Sequence, residues 1–220
     1  MLNILFPKVC PSCKNVLLKA EKTLCMSCVH RLPLICHHRN NNPAMKNIFY
    51  GRVEVEMATA VLQFQKKGMT QEILHNLKYK GQKDISSFFG KWLGAELAEI
   101  TAYQSIDLVL PVPLHKQKLK QRGYNQVSGF GKEIAAALNV PFREDILLKI
   151  SKTNSQVFKQ RLTRFEAEAI FTVQKPEAVT NKHILLVDDI VTTGATLENC
   201  ALQLLQNTNA KLSLATIAIA

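Results

Sequence analysis

The stretch Ile184-Leu185-Leu186-Val187-Asp188-Asp189-Ile190-Val191-Thr192-Thr193-Gly194-Ala195-Thr196 decides the reading of this sequence. His183 to Val187 reads as a buried strand, because the run from Ile184 onward is apolar without alternation. Two carboxylates follow, and then a short turn of Thr and Gly opens a helix marked by Leu197, Ala201, Leu204 and Leu205. The first N–H groups of a helix have no partners within it, and the dipole is positive at that end, so a phosphate is stabilised there. Gly194 lets the backbone approach such a ligand closely, and the threonine hydroxyls add donors. Asp188 and Asp189 are too near to bind the same phosphate and suit hydroxyl groups or a hydrated Mg²⁺ beside it. The ligand that satisfies both ends is a phosphorylated sugar.

Outward from this segment, helical and strand patterns alternate. Ile106 to Pro111 reads as a short buried strand, and Leu212 to Ile219 as an almost uncharged one. Residues 53–64 suit one strand or a hairpin. Helices are expected over residues 70–80, ending at Gly81, over residues 84–102 with Asp84 or Ser86 as N-cap, and from about Asn125 to Leu138. Residues 151–165 are polar and basic and read as a mobile loop. The alternation predicts a parallel sheet covered by helices on both faces. Cys200, within a helical pattern, reads as a core residue.

Near the N-terminus stand Cys10-Pro11-Ser12-Cys13 and Cys25-Met26-Ser27-Cys28. A two-residue spacer lets both thiolates of a pair face one ion, and two such pairs supply the four tetrahedral ligands that Zn²⁺ prefers. With all four positions filled, a closed structural site is expected. Cys36-His37-His38 has no second half within residues 39–60 and reads as unmetallated. Asn40 to Pro43 is a plausible end to the module.

The chain has 220 residues, 28 Lys and Arg against 17 Asp and Glu, and a formal charge of +11. Six Cys are too few for a secreted disulfide scaffold, and 9 Gly with 8 Pro exclude collagen-like and low-complexity classes. No apolar run reaches the roughly 20 residues of a membrane helix, and no signal peptide is evident, so membrane insertion is not expected and the cytoplasm is the expected location. The charge invites an anionic partner. It is concentrated in residues 1–50, at +6, and residues 111–165, at +8.

The segment from Ile184 to Thr196 resembles the signature for 5-phosphoribosyl 1-pyrophosphate (PRPP) in type I phosphoribosyltransferases. Arg122-Gly123-Tyr124-Asn125-Gln126, after Pro111-Val112-Pro113-Leu114, resembles the R-G-F/Y-N-Q motif of the ComF family. Leu77-Lys78-Tyr79-Lys80-Gly81 and Thr153 with Gln156 are similar to further segments of that family, whose members place a cysteine-rich zinc module before a phosphoribosyltransferase-like domain. The resemblance implies a type I phosphoribosyltransferase fold, a Rossmann-like parallel sheet flanked by helices, over residues 46–220. It divides into a hood over 46–104 and a core over 105–220, and a small zinc-ribbon module occupies residues 1–45.

The resemblance also implies PRPP binding by Asp188, Asp189, Val191, Thr192, Thr193, Gly194, Ala195 and Thr196, with His115, Lys116 and Arg122 beside a pyrophosphate loop over Leu114 to Lys118. Mg²⁺ would accompany PRPP, held by Asp188 and Asp189 directly or through water. Candidate catalytic residues are Asp188, Asp189, Lys159 and Arg161, with Lys152 and Arg164 on the same loop. The reaction would displace pyrophosphate from C1 of PRPP by a nitrogen nucleophile. Purine-salvage members place an Asp two residues before the turn glycine, and Thr192 stands there, which argues against a purine acceptor. The family's association with competence implies single-stranded DNA and a competence helicase-type protein as partners. Three roles stay open at this level: a transferase in competence and DNA uptake, a PRPP-regulated single-strand-binding protein without turnover, and a nucleotide-salvage enzyme. For DNA, Phe49, Tyr50 and Tyr124 are the candidate stacking residues. Oligomerisation is also open.

Overall fold

The computed structural model describes residues 7–35, 37–40, 42–150 and 170–220. Lys152, Thr153, Gln156, Lys159, Arg161 and Arg164 lie outside the described residues, as do Cys36 and Asn41. Four parallel strands form the central sheet: β1 (Ala58–Gln63), β2 (Leu108–Pro111), β5 (His183–Val191) and β6 (Lys211–Ile219), in the order β1-β6-β5-β2. The parallel sheet expected from the alternation is therefore present, and residues 53–64 contribute one strand rather than a hairpin. A two-stranded antiparallel pair, β3 (Leu147–Lys149) and β4 (Phe171–Val173), was not foreseen. Three-residue strands are too short to show a period.

Both faces of the sheet are covered, as parallel strands require. One face carries α3 (Met69–Tyr79), α4 (Asp84–Ala98) and α6 (Ser128–Leu138). Their Leu77, Phe89, Leu93, Phe130 and Ile134 pack on Val109, Leu185, Val187 and Ile217. The other face carries α7 (Ala195–Leu205), whose Leu197, Cys200 and Leu204 pack with Leu110, Ile184, Leu186 and Leu214. Cys200 is fully buried, as expected. Short helices α1 (Met26–His30), α2 (Ala44–Asn47) and α5 (Lys116–Arg122) complete the set.

Several boundaries differ from expectation. Helix α4 stops at Ala98, and Thr101–Ser105 form a separate 3-10 turn. Neither Asp84 nor Ser86 is its N-cap. Lys83 takes that position, and Ser86 instead accepts a hydrogen bond from the Phe130 backbone N–H at 2.7 Å. That bond ties α4 to α6 and outweighs the local cap. Helix α6 begins at Ser128, three residues later than read, because Asn125 is engaged with Val112 O at 3.0 Å. The pyrophosphate loop expected over Leu114 to Lys118 ends at His115, since Lys116 to Lys118 belong to α5. That helix buries no residue, so its pattern carried no hydrophobic period.

The approach of α4 to α6 is set by glycine. A Cβ on Gly90 would stand 2.6 Å from Phe130 O and 2.8 Å from Phe130 Cα. Alanine normally gains about 1 kcal/mol over glycine inside a helix. Here the added methyl meets backbone, and overpacking costs about 1–3 kcal/mol. Gly90→Ala should therefore lower the urea midpoint of unfolding despite its better propensity. An unchanged or raised midpoint would show that the two helices separate freely.

Candidate functional site

Strand β5 does not end at Val187. It continues through both acids to Val191 and pairs with β6 as far as Val191–Ile219. Alternation along the strand then sends the two carboxylates to opposite sides of the sheet. Asp189 lies on the α3/α6 side: Lys78 Nζ is 2.9 Å from its Oδ1, and Gln126 Nε2 donates to its Oδ2 at 2.6 Å. Asp188 lies on the α7 side, where Cys200 and Lys149 feel its charge. Its Oδ1 accepts the Asp189 backbone N–H at 2.8 Å. Both acids are buried. Burial, and next the neighbouring Asp189 carboxylate, push the Asp188 carboxyl well above the usual carboxylate range.

Around Asp189 the two family-like segments interlock. Lys78 ends α3, and Tyr124 Oη donates to Leu77 O. Arg122 Nη1 donates to Gln126 Oε1, and its guanidinium lies 5.4 Å from the centre of the Tyr79 ring. Lys83 Nζ lies 4.8 Å from the centre of the Tyr124 ring. A cavity of about 290 Å³ opens between α3 and α5, lined by Lys78, Tyr79, Lys118, Gln121, Arg122 and Tyr124. His115 is the N-cap of α5, where its Nδ1 accepts from Gln117 N at 3.3 Å, and Lys116 is exposed in the first turn.

The turn after β5 is Thr192-Thr193-Gly194. Gly194 is the N-cap of α7 with φ of +79°, a left-handed conformation that favours glycine. Thr192, Thr193, Ala195 and Thr196 are exposed and Val191 is buried. The segment after α2 lies against this turn. A Cβ on Gly194 would stand 2.9 Å from both Ile48 Cγ2 and Phe49 Cε1. Arg52 donates from Nη2 to Thr193 O at 3.1 Å and from Nη1 to Glu198 Oε2 at 2.5 Å. Sequence reasoning missed Arg52, and nothing in the pattern around it gives a signal. It also gave no role to Lys78 or Gln126, although both lie in the segments that resemble the family. Of the stacking candidates, Phe49 is only 1% exposed and is a core residue, whereas Tyr50 is 88% exposed.

The four cysteines come together. The Sγ atoms of Cys10, Cys13, Cys25 and Cys28 all lie within 4.8 Å of one another, and Cys13 and Cys25 are 3.6 Å apart. Zn–S bonds of about 2.3 Å place tetrahedral sulfurs about 3.8 Å apart, so the set fits zinc. Burial raises the Cys10 thiol, but backbone N–H groups of Cys13, Cys25 and Ser12 outweigh it and bring it down to about 7. Burial and the neighbouring thiols push Cys28 up, and Cys25 as well despite the Cys28 backbone N–H, so without an ion the cluster cannot hold four thiolates at once. Glu21 ties the loop between the pairs, accepting from Leu18 N at 2.8 Å and Met26 N at 2.7 Å. Asn76 of α3 donates to Pro11 O at 2.9 Å, joining the first knuckle to the helix that carries Lys78. Beyond the knuckles, His38 bonds Thr59 Oγ1 at 2.8 Å and Glu96 Oε2 at 2.7 Å, a structural role.

Residues 128–220 match the phosphoribosyl transferase domain family. The chain is similar to the ComFC and YhgH proteins, in accord with the ComF resemblance. It is 26% identical to competence protein ComFC of Bacillus subtilis (strain 168) over 203 residues, 90% of this chain and 78% of ComFC. It is 29% identical to DNA utilization protein YhgH of Escherichia coli O157:H7 over 139 residues, 61% of this chain. That match spans only 60% of YhgH. Among solved structures, glutamine PRPP amidotransferase from B. subtilis is similar at 17% identity with a TM-score of 0.45, over 65% of this chain and 30% of that one. Among the described residues no helix is long and apolar enough to cross a membrane.

Two outcomes follow from this geometry. Because the folded state raises the Asp188 pKa, it holds a proton that the unfolded chain releases near pH 4. The associated stability is fully present below about pH 4 and is lost as pH rises toward the folded value. Asp188→Asn keeps the acceptor oxygen and removes the buried charge. Its Tm should therefore gain on wild type as pH rises from about 4 to about 8. A constant difference would show that Asp188 titrates normally. The purified protein should carry about one zinc per chain, lost in Cys10→Ala/Cys13→Ala, by metal analysis. A metal-free wild type with the same Tm would contradict the zinc assignment.

Proposed function

We propose that this chain binds PRPP with Mg²⁺ at the C-terminal end of β5 and transfers the phosphoribosyl group to a nitrogen acceptor, in the cytoplasm and in the service of DNA uptake. The observation that carries this reading is the continuity of acid pair, turn and helix start within Asp188 to Thr196. In it, the 5-phosphate rests on the N–H groups and hydroxyls of Thr193 to Thr196, and the ribose hydroxyls face the acids. Arg52 holds the turn in place through Thr193 O. His115, Lys116, Lys118 and Arg122 stand on the pyrophosphate side, where their charge offsets the leaving group. Asp189 already engages Lys78 and Gln126, one on each oxygen, and with Asp188 would hold Mg²⁺ directly or through water. Mg²⁺ would supply positive charge beside the pyrophosphate. The protein's part is positioning and charge stabilisation.

A zinc-ribbon module over residues 1–45 and a transferase domain over 46–220 complete this reading. The competence and DNA-utilization names of the relatives supply its biological setting. Single-stranded DNA is then the acceptor's source or a second ligand, and calorimetry separates the two. PRPP with Mg²⁺ should bind the wild type, and Asp188→Ala/Asp189→Ala should lose at least about 100-fold in affinity, as expected for removing charged hydrogen-bond partners. Absence of PRPP binding by the wild type would overturn the proposal. Pyrophosphate release on adding DNA identifies a transferase, and a changed PRPP affinity without release identifies an effector.

A further inference from the structure

The ion pair between Lys78 and Asp189 sits where the proposed ribose hydroxyls must bind. Asp189 Oδ1 is 2.9 Å from Lys78 Nζ, and Oδ2 accepts Gln126 Nε2 at 2.6 Å, so each oxygen already has a partner with which a diol must compete. The two partners differ in how firmly they are held. Gln126 is buried and is itself fixed by Arg122. Lys78 is a long side chain on the last turn of α3, 24% exposed, and it also lines the 290 Å³ cavity with Lys118 and Arg122. That cavity joins three cations with no carboxylate in its wall, a setting that attracts a doubly charged or more highly charged anion. A single ammonium group thus borders both a carboxylate it neutralises and an anion site it can serve.

Resting on the phosphoribosyl reading, we propose that Lys78 is an exchangeable counter-ion that links the two halves of the ligand: pyrophosphate in the Lys78–Lys118–Arg122 cavity draws the ammonium off Asp189 and frees that carboxylate for the ribose hydroxyls. Without pyrophosphate the ribose competes with Lys78 for Asp189. With it, the competitor is withdrawn, and the affinity of each half depends on the other by the same factor. The device favours the intact diphosphate substrate over a bare sugar phosphate. It also explains why a lysine, whose flexible stem lets one charge serve two positions, occupies a place where a forked guanidinium would be held more rigidly.

The probes are ribose 5-phosphate and inorganic pyrophosphate, titrated calorimetrically with Mg²⁺, singly and together, into the full-length protein. For the wild type, saturating pyrophosphate should tighten ribose 5-phosphate about fivefold or more. Lys78→Met keeps the apolar stem and removes the charge. It should bind ribose 5-phosphate alone more tightly than wild type and pyrophosphate more weakly, and the linkage should vanish. A merely structural lysine would weaken both ligands together, and that result overturns the inference. Lys78→Arg keeps the charge and guards against a folding defect in the methionine variant. It should retain pyrophosphate binding and restore weak binding of ribose 5-phosphate alone, and tight binding of the sugar phosphate there also overturns the inference. If ribose 5-phosphate binds to no form of the protein, the phosphoribosyl reading itself fails. If it binds the wild type with no linkage to pyrophosphate, only the role of Lys78 fails.

Discussion

Asp189 is a carboxylate on a strand with neighbours on both edges, and the end of the molecule that carries it is organised by the need to offset that charge. Removing an ion from water costs several kcal/mol unless partners and hydrogen bonds compensate. Lys78 and Gln126 supply the compensation, the first from the last turn of α3 and the second from the turn that precedes α6. Their placement in turn fixes how α3 and α6 sit. Tyr124 bonds the end of α3 through Leu77 O, Arg122 holds Gln126, and Asn125 binds Val112 at the end of β2. One charge therefore ties three separate chain segments to the C-terminal edge of the sheet.

The second acid takes the opposite course. Asp188 faces the α7 side among Leu197, Cys200 and the rest of that core, and burial keeps it nearer neutrality. Two consecutive carboxylates thus differ in environment because a strand alternates its faces. Such a pair offers a charged acceptor on one side of the sheet end and a group able to donate a proton in a hydrogen bond on the other. The turn that follows is held from outside by Arg52 and closed over by Ile48 and Phe49. Its conformation is therefore established before any ligand arrives, which reduces the ordering cost of binding.

How much of this was legible in the sequence depended on whether the signal was local. The turn at Gly194 and the four cysteines could be read directly, because a helix start and two C-x-x-C pairs are short-range patterns. The sheet followed from the apolar run at residues 184–187 and the uncharged, mostly apolar stretch at 212–219. The continuation of β5 through the acids was hidden, since two charges end an apolar run and the groups that neutralise them lie 63 and 111 residues away in sequence at Gln126 and Lys78. Helix α5 was missed for the opposite reason: with every residue solvated, it shows no period. Arg52 acts through a backbone carbonyl 141 residues distant, a contact no pattern announces. The motif Arg122 to Gln126 was visible as a resemblance, yet its physical purpose, holding Asp189 and the end of α3, appears only in three dimensions.

The four-cysteine cluster shares this architecture. Cys10, Leu24, Cys25 and Leu32 belong to the same apolar cluster as Leu77 and Phe89, and Asn76 bonds the first knuckle two residues before Lys78. The cysteine cluster thus supports the helix that positions the counter-ion of Asp189. The central claim is that the end of β5 receives a phosphoribosyl ligand. A crystal structure of the protein with PRPP and Mg²⁺ tests it most directly. The account predicts the 5-phosphate on the N–H groups of Thr193 to Thr196, the ribose hydroxyls at Asp189, and Lys78 Nζ turned from that carboxylate to the pyrophosphate. PRPP bound away from this turn would contradict it, and PRPP seated there with the Lys78–Asp189 pair intact would contradict the role given to Lys78 alone.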